Sequence, residues 1–385
     1  MAARSTLMRV HNRTPHTLTQ TVANLDHGQW TDPNEPPAVI SPGATVFIES
    51  ESDGTATGTE GTIRYSSDSG GELYFHWDNP FAGVNSYLQT APAGCGLCFS
   101  GGTGNNAVVD LQLVPPARIA VPQFLPSTNG FQFSNHWPDE ALLRVIKMPD
   151  PFGDIKIGNA SNGICGGMAY SIADYYCSGE LPPFQTTNPS GIGDPLFDYL
   201  VQRLIDSFDL PSGPLTYYQY MDPAYPDTPR VDAEGRAWVM AHEGFPAVMA
   251  SIDAGKPCPL GLIMIKSLLP TDLGHNHQVL AYAYQLDGGR ATIWIYDPNS
   301  PKRDDMTMSF DLSDASNPID VTQNFDIGVP VYTFFATNYS RSHPPGGTVS
   351  LRVFLASHHF TASGGIRVEM HGAATTSLRA WVAAT

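Results

Sequence analysis

IGNASNGICGGMAYSIADYY, residues 157–176, carries the change of pattern that decides how the second half of this chain folds. Asn162 and Gly163 are turn residues, and from Cys165 onward Met168, Ala169, Ile172 and Tyr176 recur at helical spacing. The spacing predicts a helix that begins at Cys165. A thiol at a helix N-terminus faces free N–H groups and the positive end of the helix dipole, both of which favour thiolate over thiol. Gly166 and Gly167 are expected to keep the approach to that sulfur open.

Working outward from this helix, LFDYLVQRLIDSF (196–208) has the same period, and DAEGRAWVMAHEGFPAVMASIDAG (232–255) adds one or two further helices. Strands are expected after them, at CPLGLIMIKS (258–267), HQVLAYAYQL (277–286), ATIWIYDP (291–298) and VYTFFATN (331–338). Helices followed by strands at hairpin spacing predict an α+β domain over residues 140–340. Toward the N-terminus the pattern differs. LMRVHN, TLTQTVANL, ATVFIES, TIRYSS, GELYFHW and AVVDLQLV are short strands broken by turn clusters, which predicts an all-β sandwich over 1–114. Residues 115–139 are Pro-rich without a sustained period and read as an extended linker. A C-terminal β-strand extension is expected over 341–385, from TVSLRVFLAS, GIRVEMHG and SLRAWVAA.

The composition narrows the function. The 385 residues carry a formal charge of −17, so the cationic field that gathers nucleic acid is missing. With 36 Gly and 33 Pro, coiled coils and helical solenoids are excluded. The first residues lack the apolar block of a secretory signal, and no apolar run is long enough for a spanning helix. A soluble protein is expected, exported without a recognisable signal peptide or by a dedicated secretion system. Five cysteines are too few and scattered for a disulfide scaffold. Cys95 and Cys98 form a C-x-x-C on a Gly-rich loop, read as a local disulfide or as two reduced thiols. No matching second pair makes it a zinc site. No phosphate loop, dinucleotide fingerprint or EF-hand string occurs, so no cofactor and no metal are expected.

A nucleophilic thiol needs a base and a group that orients the base. His277 opens one expected strand and Asp297 closes the next, with the turn at Asp287–Gly289 between them. An antiparallel hairpin then makes them neighbours. Each residue alone has an ordinary reading: Cys165 a small buried side chain, His277 a satisfied core histidine, YDPN a strand exit. Their order points to catalysis. His275 shares a strand face with His277 and is the substitute base, whereas His242 is placed on a helix surface. Cys177 and Cys258 are read as structural.

In this order and context the region resembles the papain-like cysteine hydrolases, in which a Cys begins the central helix, a His begins a later strand and an Asp or Asn lies on the strand after. The resemblance implies a Cys165–His277–Asp297 triad acting on peptide or other amide and acyl substrates, by hydrolysis or by transfer to an amine. That family carries a Gln before the nucleophile to hold the oxyanion. Here no Gln stands shortly before Cys165, and the resemblance gives the role to Asn159, with Asn162 as the alternative.

The front strands resemble a second family. LDHGQWTD (25–32), ISPGATVFIESES (40–52), TGTEGTIRY (57–65) and LYFHWDNPFAGVNSY (73–87) resemble, in order, four motifs of the aegerolysins, β-sandwich proteins that bind membrane lipids. The resemblance implies a lipid head-group partner, with Trp30, Trp77, Asp78 and Phe81 as the contact residues and Glu60 beside them. The bland alternative puts the aromatics in the sandwich core and the carboxylates in bracing roles. Together these readings predict a toxin-like or effector-like cysteine hydrolase carried to a membrane. The competing readings are a lipid-binding or pore-associated protein with an inactive second domain, and an enzyme whose front domain binds carbohydrate or protein.

Overall fold

The structure is a computed structural model that describes residues 3–137, 141–146, 155–159, 163–209, 212–231, 233–346 and 348–349. The front lobe is two five-stranded sheets. One runs β3 (Gln29–Trp30), β5 (Thr45–Glu51), β1 (Ser5–Asn12), β10 (Asn106–Val114), β9 (Gly96–Gly101), and the other β4 (Val39–Ile40), β2 (Leu18–His27), β6 (Thr59–Ser67), β7 (Glu72–Asn79), β8 (Ser86–Thr90). Strict alternation of buried and half-buried residues along β1, β6 and β7 places Met8, Val10, Ile63, Tyr65, Phe75 and Trp77 between the sheets.

The second lobe is built on a seven-stranded sheet. Its path is β19 (Thr322–Gln323), β18 (Thr307–Asp311), β17 (Arg290–Tyr296), β16 (His277–Asp287), β15 (Cys258–Ile263), β20 (Thr333–Ala336), and β11 (Ile119–Ala120) pairs with β16 beyond the end of β15. Helices α1 (Pro126–Asn129), α2 (Cys165–Ser178), α3 (Pro195–Ser207), α4 (Ser212–Met221), α5 (Arg236–Val239) and α6 (Phe245–Asp253) complete it, with a π-helical turn at Met240–Gly244 between the last two. The short ribbons β12 (Ala141–Ile146)–β13 (Ile155–Asn159) and β14 (Glu180–Leu181)–β21 (Thr348–Val349) lie off the main sheet. Helix α2 is buried almost throughout, and Asp174 in its middle receives Arg203 at 2.7 Å together with the Tyr199 and Tyr339 hydroxyls. Asp194 caps α3 by accepting from the Leu196 and Phe197 N–H groups.

Several expectations are corrected here. Residues 115–139 are not an extended linker. β11 joins the second sheet, and Val121, Phe124, Phe131, Phe133 and Trp137 are buried in the second core, because the prolines punctuate short pieces that each bury an aromatic or aliphatic side chain. Residues 1–350 accordingly form one compact unit. The lobes meet through Arg13–Asp253 at 2.8 Å, Gln89 donating to the Leu312 carbonyl, and Phe99 stacked at 3.8 Å on His242. His242 is therefore buried, not on a helix surface, and its pKa falls to about 3 because burial disfavours the imidazolium. Cys98 lies in β9, not on a loop, with Cys95 just before the strand, and both thiols are free and buried. Gly96 bridges to Gly288, where a side chain would strike the Leu286 carbonyl oxygen at 2.3 Å. Of the expected C-terminal strands, only Thr348 and Val349 fall within the described residues.

Candidate functional site

Cys165 is the first residue of α2, and the helix start is shaped from outside. Gly163 takes φ +88°, and a Cβ there would meet the Asn135 amide at 2.8 Å, so only glycine lets Asn135 Oδ1 accept from the Ile164 N–H at 2.7 Å. Asn135 also accepts from the Trp137 indole and donates to Asn299, tying the helix tip to the turn after β17. No acidic residue stands in the first turn of α2 to offset its dipole. Gly166 and Gly167 do not open an approach, as expected above. A Cβ on Gly167 would lie 2.0 Å from the Leu200 carbonyl oxygen and one on Gly166 2.4 Å from Ser207 Oγ, so the pair lets α3 pack closely against α2.

His277 opens β16 and Asp297 follows β17. The two strands pair antiparallel around Gly288–Gly289, with a register shift between Ala281 and Ala283. His277 Nε2 lies 2.7 Å from Asp297 Oδ1, and both side chains are buried. Asp297 Oδ1 also accepts from the Asn299 N–H. With Nε2 engaged, Nδ1 is the ring nitrogen left for the sulfur. The Cys165 residue is half-buried, and the His277 side chain and the backbone of Gln278 and Gly166 are the groups that favour its thiolate.

Burial pushes the Cys165 thiol up, but the hydrogen bond and charge of His277 and the two backbone hydrogen bonds outweigh it, and its pKa is lowered. For His277 burial works against the imidazolium, yet Asp297 and the Cys165 sulfur hold its pKa well above the ordinary imidazole range. Burial would raise Asp297, and the contact with His277 keeps it below the ordinary carboxylate range. The arrangement can hold a thiolate beside an imidazolium.

His275 does not share a face with His277, because 270–275 form a 3-10 turn and the strand starts only at His277; its side chain is exposed, 3.7 Å from Asp272. Asn159 is the last residue of β13, where only the backbone is described, and Asn162 lies outside the described residues. Cys177 is half-buried near the end of α2 and Cys258 is buried at the start of β15. Three residues near the sulfur escaped sequence reasoning: Asn135, Ser207 and Gln278. Only the Asn after an aromatic run in 131–137 hinted at the first of them.

In the front lobe Trp77 is fully buried and donates to Ser50 Oγ at 3.0 Å, so it belongs to the core and does not reach a head group. Trp30 leans on it with ring centroids 5.8 Å apart. Phe81 is 46% exposed, with the Arg4 guanidinium 5.3 Å from its ring. Asp78 stands opposite Glu60 across β6 and β7, and its pKa is raised by burial and by the Glu60 charge. His27 and His76 each lie 3.8 Å from Glu60.

Residues 3–91 match the Aegerolysin family model. The front sandwich is an aegerolysin domain. An uncharacterized protein of Dictyostelium discoideum is 28% identical over 119 residues, which are 31% of this chain and 11% of that protein, so the chain spans about a tenth of the curated relative it matches. Among solved structures, the RahU protein in complex with a TRIS molecule is 20% identical with a TM-score of 0.27, covering 30% of this chain and 98% of that one. The lipid binding protein Nakanori is 17% identical with a TM-score of 0.26, over 30% of this chain and 72% of that one. IP-1A from Alcaligenes faecalis is 18% identical with a TM-score of 0.26, over 30% of this chain and 94% of that one. Among the described residues no helix is long and apolar enough to cross a membrane.

Proposed function

We propose that this chain is a lipid-directed, cysteine-dependent acyl-transfer enzyme of papain-like design, with Cys165 as nucleophile, His277 as base and Asp297 as the group that orients the base. The observation that carries the chemistry is the buried 2.7 Å His277–Asp297 contact, with the same imidazole lowering the pKa of the Cys165 thiol at the tip of α2. His277 takes the thiol proton, the thiolate attacks an amide or other acyl carbonyl, and Asp297 keeps the ring oriented and steadies its charge. The Cys165 backbone N–H and one side-chain amide stabilise the developing oxyanion, the amide being assigned to Asn159. His277 returns the proton to the leaving group, and water or an amine then releases the acyl group from the thioester.

The membrane half of the proposal rests on the aegerolysin match. Phe81 and Val84, exposed on the loop after β7, are the side chains suited to the lipid interface, and Asp78 with Glu60 is suited to a polar or cationic head group. That match, over residues 3–91, also supports a second reading, a lipid-binding protein whose second lobe performs no chemistry.

An activated ester separates the two. With p-nitrophenyl acetate the enzyme reading expects a burst of nitrophenolate and an acetyl adduct on Cys165 by peptide mass spectrometry, both absent from Cys165→Ala. Vesicle binding by that variant with no adduct on the parent protein would establish the second reading.

A further inference from the structure

A buried polar cluster lies beneath the candidate nucleophile on the side away from Asp297. Gln278 follows His277, and its carboxamide donates from Nε2 to Ser207 Oγ at 3.1 Å, while Ser207 donates in turn to the Leu204 carbonyl at 2.7 Å in the last turn of α3. Both residues are buried. The space they occupy exists because residue 166 is glycine: a Cβ there would stand 2.4 Å from Ser207 Oγ and 2.8 Å from the Gln278 amide. Tyr217, buried on α4, brings its hydroxyl over Gly261, the cross-strand partner of Gln278. Three polar side chains have thus been buried at a point where an apolar core would cost less to build.

The backbone gives this cluster a purpose. The Gln278 carboxamide lies against Gly166, the residue after Cys165, the Gln278 backbone is one of the groups that favour the Cys165 thiolate, and the preceding residue supplies the imidazole. Whatever fixes the first two residues of β16 therefore fixes two contacts to the thiolate at once. We propose that Gln278 is a positioning residue: Ser207 clamps its side chain to α3, and the clamp holds its N–H and the His277 ring in register with the sulfur at the tip of α2. The clamp ties the strand to α3 through side chains, while α2 and α3 are locked together by glycine-mediated contact at Gly167. Helix tip, strand start and α3 then move as one piece. The inference rests on the reading of Cys165 as an activated thiolate.

The test measures iodoacetamide labelling of each cysteine against pH by mass spectrometry in the full chain, for the parent, Gln278→Met and Ser207→Ala. Both substitutions are expected to move the Cys165 labelling midpoint upward by about one pH unit, which slows labelling about tenfold at pH values below both midpoints and leaves the rate at high pH unchanged. Cys98 and Cys258 stay protected in a folded variant, so a loss of structure registers as labelling at those sites. If Gln278→Met labels everywhere, Ser207→Ala decides. Unchanged midpoints in folded variants would overturn the positioning role while leaving the thiolate reading intact. A parent Cys165 that labels no faster than the other cysteines would overturn both.

Discussion

In the aegerolysin sandwich the ionisable residues that stand out, Glu60 and Asp78, lie on the outer face of a sheet whose inner face is apolar, whereas in the second lobe Asp174, Arg203, His277 and Asp297 are all buried. The contrast is instructive. Charges on that outer face stay partly hydrated even though burial raises Asp78, and such positions bear substitution with less effect on the fold than buried ones. Buried charges are retained only where each is paired, and removing one partner leaves the other stranded. The first lobe is matched by its sequence motifs, and the second is read through its geometry.

The sharpest way to break the comparison is at Asp174. Asp174→Ala removes the buried carboxylate that accepts from Arg203, Tyr199 and Tyr339, leaving Arg203 only its partly exposed partner Asp206, and should cost about 3–5 kcal/mol of unfolding free energy in urea titrations. A loss below 1 kcal/mol would mean that burial is not what separates the lobes. Because the two lobes share one compact unit, the sandwich should unfold in the same transition, seen by tryptophan fluorescence and far-UV circular dichroism together. Two separated transitions would restore the reading of 115–139 as a linker.

Asp297→Asn probes the second buried pair through pH. Asp297 is lowered, so its contribution is full above the ordinary carboxylate pKa and is lost as pH falls through its folded value. His277 is raised, so its contribution is full below the ordinary imidazole pKa and is lost as pH rises through its folded value. The stability difference between parent and variant should therefore be largest between about pH 4 and 6.5 and narrow on either side. A difference that is flat with pH would contradict the ion pair.

The front lobe should answer more quietly. Trp77→Phe removes the bond to Ser50 and should cost about 1 kcal/mol with vesicle binding unchanged. Phe81→Ser should weaken binding to vesicles while moving stability by less than about 0.5 kcal/mol, as an exposed substitution does. The opposite pairing of effects would place the lipid contact in the core tryptophan and not on the loop.

The parts of this fold that could be read from sequence were those set by local signals. Gly163 before Cys165, at φ +88°, and the DGG turn between the later strands are short-range devices, and the second brings His277 to within 2.7 Å of Asp297. What could not be read depends on partners distant in the chain. β9 looked like a loop because of its glycines, yet Gly96 is there to admit the Leu286 carbonyl. His242 looked exposed because a regular helix would turn it outward, and the π-helical turn buries it against Phe99 instead. Asn135 sat in a Pro-rich stretch, and its hold on the helix tip spans 29 residues.

The central claim is that Cys165 is a thiolate held by His277, and selective alkylation tests it most directly. Iodoacetamide at mildly acidic pH should modify Cys165 ahead of Cys95, Cys98, Cys177 and Cys258, and His277→Ala should abolish that preference. Labelling of Cys165 that is no faster than that of Cys177, or that survives His277→Ala unchanged, would contradict the account.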